Sequence, residues 1–73
     1  MGNTISLRAA RVNAGMTQKK VAEIQGLDFK TIGAWENGLT AIPAIKFFEL
    51  CKLYNVNSDI VEVPSVKDGK YNE

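Results

Sequence analysis

The sequence predicts a compact all-α domain of four to five short helices. Apolar residues recur at spacings of three and four along most of the chain. Gly, Asn and Pro break that pattern at short intervals. No apolar/polar alternation is long enough to build a sheet core. With 45% hydrophobic residues in 73, the chain fits one small globular domain and not a disordered segment.

The first helix runs from Ser6 to Ala14, with Leu7, Ala10, Arg11 and Ala14 at helical spacing. Ser6 is its N-cap and Gly15 its stop. Thr17 caps a second helix reaching about Gln25, whose inner face carries Val21 and Ile24, and Gly26 ends it. Asp28 caps a third through Glu36, with Ile32 and Trp35 inward and Asn37-Gly38 closing it. Pro43 suits the first turn of a fourth helix reaching about Tyr54. Phe47, Leu50, Cys51 and Tyr54 share one face of that helix. Asn57 or Ser58 caps a short fifth helix containing Ile60 and Val61. These elements place the domain at residues 1–63. Residues 64–73, with Pro64 and Asp68-Gly69, are polar and read as a tail or a small hairpin.

Composition excludes much chemistry. One Cys forbids an internal disulfide framework, and one Cys without His forbids a zinc finger or a Ser-His or Cys-His nucleophile pair within the chain. There is no phosphate loop, paired-carboxylate site or metal cluster, so the expectation is a binding module without cofactor or small-molecule substrate. The N-terminus lacks the pattern of a secretory signal. Gly2 to Ser6 formally matches a myristoylation motif, but Ser6 is better explained as a helix cap. No apolar run approaches a membrane span, and the unpaired Cys51 fits a reducing interior, so the expected compartment is the cytoplasm.

The informative stretch is Thr17 to Gly38, TQKKVAEIQGLDFKTIGAWENG. Two short helices meet at Gln25-Gly26-Leu27-Asp28, where Gly26 can take the positive φ of a tight turn. Ala22 is small where the next helix must cross closely. Ile32 and Trp35 turn one side of the later helix inward. Lys30, Ala34 and Asn37 lie opposite, with Gly33 at the edge. That is helix-turn-helix geometry, in which the second helix can enter the DNA major groove. The chain resembles the phage Cro and repressor-like (XRE-type) helix-turn-helix family, whose members fold as lambda-repressor-like DNA-binding domains. The matching residues are Arg11, Gly15-Met-Thr-Gln18, Ala22, Gly26, Ile32, Trp35-Glu-Asn-Gly38, Pro43 and Cys51-x-x-Tyr54-x-Val56-x-x-Asp59. The resemblance spans about residues 6 to 61.

The resemblance implies a set of site residues. Gln18 matches a phosphate-binding position, and helix N-termini suit phosphate in any case. Thr17 reads as a cap compatible with a contact. Lys19 and Lys20 sit where the helix dipole disfavours cations; nearby phosphates and plain solvation both account for them. Asp28, Phe29, Lys30 and Ala34 match positions that reach base edges. Lys30 suits guanine O6/N7, Phe29 or Ala34 a thymine methyl, and Asp28 cytosine N4, although Asp28 is also the N-cap. Phe29 lies at the boundary of the inner face, so core packing and base contact both stand. Thr31 and Asn37 match phosphate-contacting positions, Asn37 also serving the helix end. Arg11 and Glu36 are opposite charges on inward faces; the family has a pair there, implying a structural ion pair that orients the third helix. Trp35 and Cys51 read as core.

The sequence departs from the pattern after Gly38. Many DNA-binding members carry basic residues there, whereas this chain has Leu39-Thr40-Ala41-Ile42. With some of Ile45, Phe48 and Leu53, these apolar residues exceed what one helix face buries. A homodimer interface near Leu39, Ile42 and helices four and five is one reading, a generous core the other. The leading expectation is a dimeric, sequence-specific regulator of phage or mobile-element type on a palindromic double-stranded operator. The alternative is an interaction module of the same fold, such as an antitoxin or a partner of an antirepressor. Net charge is only +1; five basic and three acidic residues fall within residues 1–40, four and five within 41–73. Binding should therefore rest on a few placed contacts more than on bulk charge.

Overall fold

The computed structural model describes residues 3–66. A two-residue strand β1 (Ile5–Ser6) leads into α1 (Leu7–Asn13), α2 (Gln18–Gln25), α3 (Phe29–Glu36) and α4 (Ala44–Leu53). A one-turn 3₁₀ helix, Ser58–Ile60, and strand β2 (Val61–Glu62) follow. The Asp68-Gly69 turn and Gly2 of the acylation motif lie outside the described residues.

Each of the first three helices starts on a side-chain cap. The Ser6 hydroxyl accepts from the Ala9 N–H at 2.9 Å, the Thr17 hydroxyl from the Lys20 N–H at 3.0 Å, and the Asp28 carboxylate from the Lys30 N–H at 2.9 Å. Each bond satisfies a donor that the first helical turn leaves without an intrahelical partner. The α4 N-cap is Pro43, which fixes the backbone without a side-chain bond. All four helices end alike, with an N–H reaching back five residues: Met16 to the Arg11 carbonyl, Leu27 to Ala22, Leu39 to Ala34 and Val56 to Cys51. That closure needs a left-handed residue just before the donor. After α4 the residue is Asn55, with φ 56°, a conformation Asn tolerates better than other non-glycine residues.

One core joins the helices. Leu7 and Ala10 of α1, Val21 and Ala22 of α2, Ile32 and Trp35 of α3, and Phe47, Leu50 and Cys51 of α4 are buried together, with Ile42, Tyr54 and Val61. Three sequence expectations need correction. Ile24 is exposed, because the inner face of α2 is centred between Val21 and Ala22; at about 100° per residue Ile24 falls well away from Ala22. Val61 belongs to no helix. The chain turns extended after Ile60, and Val61 and Glu62 pair in parallel with Ile5 and Ser6, clasping the two ends of the domain. Ile42 is core and not loop surface, since the residue before a proline is held extended and here turns its side chain inward. Leu53 is half-buried and packs on the same core.

Candidate nucleic-acid interface

α2 and α3 meet through Gly26, Leu27 and Asp28. Gly26 adopts φ +71°, ψ 34°, which turns the chain sharply enough to lay α3 across α2. The closure bond from Leu27 to Ala22 fixes the turn, and buried Ala22 allows the close crossing. Ile32 and Trp35 anchor α3 from below.

The far end of α3 is locked by charge. The Glu36 side chain is 1% exposed and receives Arg11 through two bonds, Nε at 2.7 Å and Nη2 at 3.2 Å. Arg11 Nη1 also donates to the Met16 carbonyl at 2.8 Å, so one guanidinium ties α1, the loop before α2 and the end of α3. The hydrogen bonds that Arg11 donates to Glu36 raise the Arg11 pKa, against the opposing pull of burial. Gln18 Nε2 donates to Glu36 Oε1 at 3.1 Å, linking the first residue of α2 to the last of α3. That bond is not evident from spacing. Its sequence signal is Gly33: a Cβ there would stand 3.4 Å from the Gln18 amide, so the missing side chain gives the glutamine room.

On the open side, Asp28 is the α3 N-cap, and Phe29 and Lys30, which follow it, are exposed. Phe29 is 40% exposed and outside the core. Thr31, Gly33 and Ala34 are half-buried along the same helix, and Asn37 is its exposed C-cap. Thr17, Lys19 and Lys20 flank this side from the start of α2, exposed to solvent. Lys20 stands 4.0 Å from Glu23, a surface pair of little energetic weight. Lys19 Nζ lies 5.3 Å from the centre of the Phe29 ring, within cation–π range. The arrangement thus brings Thr17, Lys19 and Lys20 of the start of α2 to one groove with Asp28 and Phe29. The Gln18 side chain lies farther along α3, against Gly33 and Glu36, and Lys30 is exposed next to Phe29. Thr31, Ala34 and Asn37 continue along α3, and Arg11 and Glu36 sit beneath. Among the described residues no group of His, Cys, Asp and Glu converges on a metal-sized site, and no helix is long and apolar enough to cross a membrane.

A short helix anchored at both ends, crossing its predecessor at a glycine turn and presenting its outer face, defines a helix-turn-helix domain. The chain matches the helix-turn-helix family over residues 7–61 and belongs to it, within the XRE/Cro-repressor-like type. It is accordingly a DNA-binding transcription regulator, with DNA as its partner. No curated protein and no solved structure gives a significant match.

Proposed function

We infer that the protein is a repressor of phage or mobile-element type that binds a palindromic operator as a homodimer. The observation behind this reading is the two-sidedness of α3. Its inner side is fixed by Ile32, Trp35 and the Arg11–Glu36 pair, while Phe29 and Lys30 stand in solvent. A rigid helix with an open polar-apolar face suits major-groove readout, Lys30 donating to guanine O6/N7 and Ala34 lying against the base edges. The start of α2 at Thr17 and Gln18, with Thr31 and Asn37, supplies the phosphate grip that sets the register. Gln18 uses one amide hydrogen on Glu36, so a phosphate held there also braces the ion pair beneath it.

Dimerisation is supported by large apolar side chains left exposed in the loop after α3 and on α4. Leu39, Ile45 and Phe48 are 64%, 68% and 58% exposed. A second copy covering them about a two-fold axis would present two α3 helices to successive major grooves, about 34 Å apart.

The test is a salt titration on a duplex selected from random DNA. The regulator should bind its selected site tightly and lose affinity steeply as salt rises. Weak, sequence-blind binding would favour the other reading, a protein-interaction module using the same apolar patch, which the absence of basic residues between Gly38 and Pro43 also suits.

A further inference from the structure

Lys19 and Phe29 form a unit that phosphate binding alone does not account for. Lys19 is the second residue of α2, where the helix dipole opposes a cation. Its ammonium nevertheless sits 5.3 Å from the Phe29 ring centre, against the electron-rich face, which offsets that mismatch. Phe29 is the first residue of α3 and stays 40% exposed, although Ile32, three positions on, is fully buried. A shallow groove bounded by Thr17, Lys19, Lys20, Asp28 and Phe29 opens beside it. An aromatic ring with no donor or acceptor, held at the leading end of the helix, cannot read a hydrogen-bond pattern. The apolar feature that base pairs show in the major groove is the pyrimidine C5-methyl.

We propose that Phe29 reads a pyrimidine C5-methyl group and that Lys19 is its positioning residue, acting through the ring and not on the DNA backbone. This rests on the major-groove reading above. The cation–π contact limits the rotamers of an otherwise loose surface ring, so the ring meets the base already placed. Lys19 therefore contributes to discrimination between bases more than to overall attraction.

The experiment uses the full chain and an operator selected from random duplex DNA. Thymines in each half-site are replaced one at a time by deoxyuridine, which removes only the methyl. A parallel set compares cytosine with 5-methylcytosine at the same positions. At one position wild type should bind thymine about fourfold more tightly than uracil, the worth of one buried methyl. Phe29→Ala should erase that ratio. Lys19→Met should shrink it, and Lys19→Arg, which keeps the charge over the ring, should preserve it. A gain on methylating cytosine would extend the reading to both methylated pyrimidines; a gain on thymine alone would confine it to thymine. A uracil-insensitive operator, or a ratio that survives Phe29→Ala, overturns the proposal while leaving the operator-binding reading intact. Equal losses on thymine and uracil duplexes with Lys19→Met assign Lys19 to phosphate and overturn its part. Failure to select any sequence removes the operator-binding reading itself, and this proposal with it.

Discussion

Arg11 carries more of the structure than any other polar side chain described. Its guanidinium makes two bonds to the Glu36 carboxylate and one to the Met16 carbonyl, all in a part-buried setting. A buried pair gives little net stability over an apolar replacement, but breaking it leaves one charge without its partner. Glu36→Ala should therefore cost about 3–5 kcal/mol, a large share of the stability of so small a domain. A urea melt of that variant matching wild type would falsify the account. Tyr54 poses the opposite case. Its ring is core, yet its hydroxyl is buried with no hydrogen-bond partner among the described residues. Removing an unsatisfied hydroxyl while keeping the ring is close to neutral or favourable, so Tyr54→Phe should leave stability unchanged or raise it by up to about 1 kcal/mol. Burial, and after it the charge of Glu36, pushes the Tyr54 phenol from 10.0 up to about 12. Because the folded value lies above the unfolded one, this contribution is complete below about pH 10 and fades as pH rises through about 12. Urea melts across that interval should show wild type losing stability faster than Tyr54→Phe. Parallel losses would mean that the alkaline sensitivity comes from other groups.

At the scale of elements, the α2–α3 turn depends on the conformation of one residue. Gly26 sits at φ +71°, and a Cβ built there would meet nothing within 4 Å. Gly26→Ala therefore adds no clash, only the left-handed backbone penalty, and should destabilise by roughly 1–2 kcal/mol. Gly26→Asn should lose less, since its side chain tolerates that region. Equal stability of all three in thermal melts would show that the turn relaxes to another conformation. The role of Gly26 is legible in the sequence because capping and turn chemistry are local, as they are at Ser6, Thr17 and Asp28. Asn55 is less legible, since its left-handed φ depends on where the end of α4 is held. The β1–β2 pair leaves no mark in the sequence: two residues give no alternation, and the paired residues Ile5 and Val61 are far apart along the chain. Within the site, the outer face of α3 follows from helical spacing. The Arg11–Glu36 contact follows from two opposite charges on apolar stripes. The Gln18–Glu36 and Lys19–Phe29 contacts cross between helices. They depend on the angle at which α2 and α3 meet, which no spacing within one helix encodes.

For the whole molecule, charge and apolar surface point the same way. The excess of basic residues is small and falls within residues 1–40, while α4 and the loop before it leave Leu39, Ile45 and Phe48 exposed. A chain with few cations gains little from non-specific attraction to DNA, so in the proposed homodimer the joining of two α3 helices in one particle would be the larger route to affinity. The exposed patch suits that joining. Phe48 packs edge-on against buried Phe47, with ring centres 5.6 Å apart at 75°, so the inner ring supports the outer one in a fixed orientation. Phe48→Glu should leave the fold intact, because the ring it removes lies mostly outside the core, but should place a charge in the middle of a two-fold contact. On the homodimer proposed above, sedimentation should then show the variant as a monomer at concentrations where wild type associates. Affinity for a full palindromic operator should fall by roughly 100-fold, the scale of lost bivalency, while affinity for an isolated half-site stays the same. The half-site comparison separates the causes: a variant damaged in α3 loses both, and one damaged in dimerisation loses only the full operator. Wild-type affinity for the full operator in Phe48→Glu would mean that two copies, if they meet on DNA, do so through a different face.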